Sequence, residues 1–170
     1  MTKLVLTLVA DDRPGLIKSV SDIVVAHHGN WLESRLAQLA GKFAGIVLVD
    51  VPAEQADELT AALAAFGQQD ARIVVEVGDD TLAAESQTGL TVTVSGADHP
   101  GIVNEVTDLL ARHAINVTEM SSEQEPAAMS GQPVFSAHIE ALAPDGTDRA
   151  ALDEAFQALA AQLAVDIDLG

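Results

Sequence analysis

No cysteine occurs in this 170-residue chain, and Lys and Arg together number 8 against 26 Asp and Glu. Without thiols there is no disulfide, no thiolate nucleophile and no cysteine-ligated zinc, so redox chemistry does not report the compartment. The formal charge of -18 leaves no basic face: six bases fall in the first 85 residues and two in the rest, while each half carries 13 acids. Phosphate neutralisation by Lys and Arg supplies most non-specific nucleic-acid affinity, so direct binding to DNA or to an anionic membrane is disfavoured. A genetic role would need a partner protein. No apolar run approaches the roughly 18 residues of a membrane span. The start, "MTKLVLTLVADDRPG", shows one Lys and a short alternating run that meets two aspartates, unlike a signal peptide. A cytoplasmic protein is expected, and the sequon at Asn116 is read as coincidence. The G-x-S-x-G, Walker, G-x-G-x-x-G and H-E-x-x-H motifs are all missing. Carboxylate pairs such as Asp57 with Glu58 and Asp153 with Glu154 fall at solvent-facing helical positions, and His27, His28, His113 and His138 lack ligand spacing. Neither a catalytic residue, a metal nor a cofactor is expected.

What is present is a repetition. Adding 86 to Asp12, Pro14, Gly15, Asp22, His27, Asn30 and Glu33 gives Asp98, Pro100, Gly101, Asp108, His113, Asn116 and Glu119. The apolar residues Leu16, Ile17, Val20, Ile23 and Val24 repeat as Ile102, Val103, Val106, Leu109 and Leu110, a stripe that gives an amphipathic helix one buried face. Strand-like runs flank each helix: "KLVLTLVA" and "LTVTVSGA" before it, "FAGIVLVDV" and "PVFSAHIEAL" after it, with "ARIVVEVG" and "AVDIDLG" closing the halves. A second helix is expected over 53–67 and again over 148–162, with Leu59, Leu63 and Phe66, then Leu152, Phe156 and Leu159, in line. Each half therefore reads strand, helix, strand, strand, helix, strand. That order is the ferredoxin-like βαββαβ pattern of the α+β class, with both helices on one face of an antiparallel sheet. The boundaries fall at 1–78 and 89–170, with a linker over 79–88. The second half is longer at "EQEPAAMSGQP", where a hairpin loop is expected.

"DRPGL" and "DHPGI" between first strand and helix, with "HGNW" and "AINV" entering the second strand, resemble ACT domains. The match covers nearly the whole chain as two copies. A stand-alone tandem pair without an attached enzyme is similar to the glycine cleavage system transcriptional repressor family. The resemblance implies amino-acid binding, a regulatory role, and two domains set side by side in one eight-stranded sheet.

Pro14 and Pro100 are expected at the first helical position, where a missing N–H costs nothing. Gly15 and Gly101 would let a ligand approach the backbone, where first-turn amides and the helix dipole can hold a carboxylate. Asp12 and Asp98 would cap the helix or meet an ammonium group. Asn30 and Asn116 are candidates to bind either group of an amino acid, or to cap the preceding helix. Arg13, Leu16, His99 and Ile102 adjoin the same turns and complete the candidate set. The copies differ there, Arg13 against His99 and Trp31 against Val117. Trp31 reads as edge-strand packing and His99 as a solvated turn residue. The expected function is a non-catalytic module that binds a small amino acid, with glycine or serine as the family-based choice, between loop and strand of different halves. Binding would be transmitted to a protein partner, a transcription factor or, alternatively, an amino-acid biosynthetic enzyme that the chain regulates as a subunit. A homodimer or larger assembly is expected because a ferredoxin-like half leaves one sheet face open.

Overall fold

The computed structural model describes residues 1–69, 71–79 and 87–170. The chain divides into two units, Met1–Ala83 and Ala84–Gly170. The first runs β1 (Thr2–Asp11), α1 (Leu16–Ala26), β2 (Asn30–Leu39), β3 (Lys42–Val51), α2 (Ala56–Gln69) and β4 (Arg72–Val77). The second repeats the order as β5 (Gln87–Ala97), α3 (Ile102–Arg112), β6 (Asn116–Pro126), β7 (Pro133–Pro144), α4 (Arg149–Leu163) and β8 (Val165–Leu169). Most of the expected linker lies outside the described residues. Its last two positions, Gln87 and Thr88, open β5 instead, because β7 extends to Pro144 and pairs with them.

Two four-stranded antiparallel sheets are present among the described residues, ordered β2-β3-β1-β4 and β6-β7-β5-β8. Outer strand β6 carries Glu119, Glu123 and Glu125 on one face and is exposed along most of its length.

Alternation decides which face each sheet buries. In β1, Leu4, Leu6, Leu8 and Ala10 are buried, and in β3, Val47, Val49 and Val51 are. Leu16, Val20 and Val24 of α1, with Leu59 and Leu63 of α2, cover them. In the second unit Val92, Val94, Ile139, Val165 and Ile167 face Ile102, Val106 and Leu110 of α3, and Leu152, Phe156 and Leu159 of α4. Trp31 is half-buried against the first core, the edge-strand packing expected of it. The β2–β3 hairpin closes through Ala40 and Gly41, both at positive φ (50° and 78°), the two-residue turn that matches strand twist. In the second unit Glu123–Pro126, expected in the loop, extends β6 instead, and residues 127–132 form the turn. Both outer strands carry a bulge at the same repeated place, between Trp31 and Glu33 and between Val117 and Glu119.

Candidate functional site

The two Pro-Gly turns have one geometry. Gly15 sits at φ 86°, ψ -4° and Gly101 at φ 103°, ψ -11°, immediately before α1 and α3. Pro14 and Pro100 therefore precede the helix rather than occupy its first position. A Pro followed by a residue near φ 80°, ψ 0° is a type II turn, which demands Gly at its third position. A Cβ built on either glycine meets nothing within 4 Å, so backbone conformation, not close packing, fixes the residue. Each glycine carbonyl accepts the first helical bond, from Ser19 N at 2.9 Å and Glu105 N at 3.0 Å. Neither α1 nor α3 has a side-chain cap, whereas Asp148 caps α4 by accepting from Ala151 N at 3.1 Å. The amides of Leu16 and Ile17, and of Ile102 and Val103, thus open the two helices without an intrahelical acceptor. Leu16 and Ile102 themselves are 3% and 2% exposed. Their side chains belong to the cores, and only their backbone can face a ligand.

The aspartates do not cap. The Asp12 amide donates to Gly41 O at 3.1 Å and the Asp98 amide to Pro133 O at 2.9 Å, tying each turn to a hairpin. The Asp98 carboxylate accepts from the Gln124 side-chain amide of β6. Arg13 is exposed. His99 is half-buried rather than solvated: Nε2 lies 2.8 Å from Leu163 O and Nδ1 3.2 Å from Pro100 O. Both neighbours are carbonyl acceptors, so only the imidazolium satisfies both. The Leu163 carbonyl first, then that of Pro100, raises the His99 pKa, against a smaller desolvation and with help from Asp98. Asp98, His99, Gly101, Ile102, Thr107 and Phe135 line a shallow depression of about 490 Å³ beside α3.

Asn30 and Asn116 lie elsewhere in their own units, exposed at the starts of β2 and β6. Neither caps a helix; His28 and Ala114, at φ 59° and 55°, make the left-handed exits. In the first unit Asp11, beside the Pro-Gly turn, pairs with Lys42, while Asn30 stands opposite Asp50 near the pair Thr2 and Val51. Those ends of β1 are about 30 Å apart at strand rise. The same holds between Asp98 and Asn116 in the second unit. No single unit brings its Gly turn to its own Asn.

Two features escaped the sequence reading. Asp50 faces Asn30 across the ladder and has a buried Oδ1 without a partner among the described residues, whereas Asn116 faces Leu142. An acid inside the run "GIVLVDV" was the available signal. The carbonyl of Leu163 that holds His99 is 64 residues away and left no signal at all.

A family model for the ACT domain matches residues 2–76, and a second ACT-domain model matches 90–160. The chain is 28% identical over 161 residues to the glycine cleavage system transcriptional repressor of Escherichia coli (strain K12), covering 94% of this chain and 85% of that protein. The repressor of the same name from Shigella flexneri matches equally. Among solved structures, an unknown protein from Galdieria sulphuraria superposes with a TM-score of 0.87 at 27% identity, over 99% of this chain and 96% of that one.

Proposed function

The chain belongs to the ACT-domain family as a tandem pair of regulatory modules, and from that premise we propose that it is a non-catalytic sensor of a small amino acid. The observation that carries this reading is the repeated uncapped helix entry. Amides of Leu16 and Ile17, or of Ile102 and Val103, aim a helix dipole at the space beyond a Gly turn, which suits a carboxylate. The Asn at the start of a second strand, supplied by another ACT unit, binds the remaining polar group. Because Gly turn and Asn stand at opposite ends of one unit, two units are needed to make a site. The turns are not equivalent. The first turn of α3 contains Glu105, which repels an incoming carboxylate, whereas α1 has no acid there and Arg13 beside it. The Gly15 turn is therefore the stronger carboxylate site.

Similarity to a glycine cleavage system repressor makes glycine, or serine one carbon larger, the first ligand to try. Occupancy alters affinity for a protein partner, making the chain an accessory transcriptional regulator of glycine and one-carbon metabolism that acts without touching DNA. By linkage the partner changes amino-acid affinity by the same factor.

The test is a thermal-melt panel with each common amino acid at millimolar concentration, on the wild type and on Asn30→Ala and Asn116→Ala. Ligand at a hundred times its dissociation constant adds about 2.7 kcal/mol. A selective upward shift, lost in the Asn variants, is expected. A melt that no amino acid moves would mean that the fold serves protein docking alone.

A further inference from the structure

The two sheets bury equivalent faces but leave unlike faces bare. On the first sheet the bare side carries Val5, Val9, Ile46, Leu48 and Val74 around Thr7, with Val9 42%, Ile46 51% and Val74 49% exposed. A depression of about 240 Å³ between Val5, Ile46, Leu48 and Arg35 belongs to this face. On the second sheet the corresponding positions are Thr93, Ser95, Ser136, His138 and Ser121, framed by Glu119, Glu123, Glu140, Asp166 and Asp168. That side can remain hydrated. An apolar sheet face edged by charge is the mark of a surface that is covered in the working molecule.

The register identifies the cover. Val74, Thr7, Ile46 and Arg35 form one row across the four strands. On one side of it lies the row Glu76, Val5, Leu48, Glu33, and beyond that Lys3 and Asp50. On the other side lies the row Arg72, Val9, Ala44, Ala37, and beyond that Asp11 and Lys42. A two-fold axis along the Thr7 row, relating two copies face to face, sets Val5 on the partner's Val9, Leu48 on the partner's Ala44, and Ile46 and Val74 on themselves. The same axis sets Arg72 on the partner's Glu76, Lys3 on the partner's Asp11, and Asp50 on the partner's Lys42. Every charge pair but one is opposite in sign. The exception, Arg35, faces its own copy, but Glu33 Oε1 already lies 2.9 Å from its Nη1. Aligned sheets cross at about 30°, which displaces an outer strand by roughly one residue, within the reach of an Arg or Glu side chain.

The second sheet does not pair with itself in this way. The same operation on the second sheet sets Asp168 on itself and Glu119 on Glu123. We propose that the bare face of the first sheet is an isologous interface with a second copy of this chain, centred on Thr7 and Ile46, with Arg72 and Glu76 setting its register.

The test is the mass of the full chain by sedimentation equilibrium at micromolar concentrations. Wild type is expected to dimerise. Ile46→Asp places a carboxylate on the axis, and Arg72→Glu sets Glu against Glu twice; each should weaken the dimer on the order of tenfold or more. The double exchange Arg72→Glu with Glu76→Arg recreates both pairs and should restore wild-type association. All these positions are exposed, and circular dichroism melts verify folding; if Ile46→Asp does not fold, the Arg72 and Glu76 exchanges decide alone. A wild-type mass of one chain at tens of micromolar overturns the proposal and leaves the face to a different protein. A dimer indifferent to Ile46→Asp, or a double exchange as weak as the single ones, overturns it equally.

Discussion

His99 and Arg13 occupy the same place in the two repeats, yet only the histidine can change its charge near neutrality. The folded protein offers its ring two carbonyl acceptors, Leu163 O and Pro100 O, and its pKa is raised above the ordinary value of 6.5. A raised folded-state pKa contributes stability that is fully present below the unfolded value and lost as pH rises through the folded one. Wild type should therefore melt above His99→Gln at pH 5.5, and the gap should close by pH 8.5. A gap that does not vary with pH would mean that the imidazolium is not the bonded form. The glycines of the same turns make a second residue-scale prediction. Gly101 at φ 103° has empty space where a Cβ would go, so Gly101→Ala acts through backbone strain alone and should cost about 1–2 kcal/mol in chemical denaturation. Gly89, equally uncrowded but without a positive φ, is the control: Gly89→Ala should be neutral or slightly stabilising. Equal losses at both positions would defeat the argument. The sequence made Gly15 and Gly101 visible as candidates, because they recur at a fixed offset. It did not show why they are glycine, since type II geometry depends on a φ that the spacing does not encode.

At the scale of elements, the repeats diverge where β3 meets β2. A Cβ on Gly45 would lie 2.0 Å from Arg35 O and 2.8 Å from Leu36 Cα, both backbone atoms that cannot swing away. The equivalent position in the second unit, opposite Ser122, is Ala137, which carries its Cβ in a buried setting. Gly45→Ala must therefore push the outer strand off β3 and should cost at least about 2 kcal/mol. Ala137→Gly loses only strand entropy and a methyl group, about 1 kcal/mol. Urea unfolding of both variants checks the order, and a mild Gly45→Ala would show that β2 can retreat freely. Element order, both helical stripes and the core positions were legible because period 3.6 and period 2 stand out in Leu16, Val20 and Val24 against Leu4, Leu6 and Leu8. Strand ends were less so. β6 runs on to Pro126 through Glu123 and Glu125, because an outer strand needs bonds on one side only and tolerates polar residues on both faces.

For the whole molecule the governing quantity is charge. Taking the units as 1–83 and 84–170, the first holds 12 acids and 6 bases, net -6, and the second 14 acids and 2 bases, net -12, which together give the chain's -18. The site escaped a full reading at this scale, because the sequence shows that the motif is doubled but not which unit meets which. The charge asymmetry, by contrast, is complete in the sequence and has a measurable consequence. Added salt screens two opposed contributions. It weakens ion pairs such as Lys18 with Asp22, Arg112 with Asp108, Arg35 with Glu33 and Lys42 with Asp11, all of them exposed. Exposed pairs contribute about 0–1 kcal/mol each, so little is lost. It also relieves the repulsion among 18 unbalanced carboxylates, which opposes the compact state at every pH above the acid range. Raising sodium chloride from about 20 to 200 mM shortens the screening length from roughly 20 to 7 Å, less than the width of one sheet. The second relief should win, and the melting temperature at pH 7.5 should rise with salt. If the two units melt separately in calorimetry, the transition of the -12 unit should move further than that of the -6 unit. A melt that falls with salt would place the exposed ion pairs, not net repulsion, in control of stability.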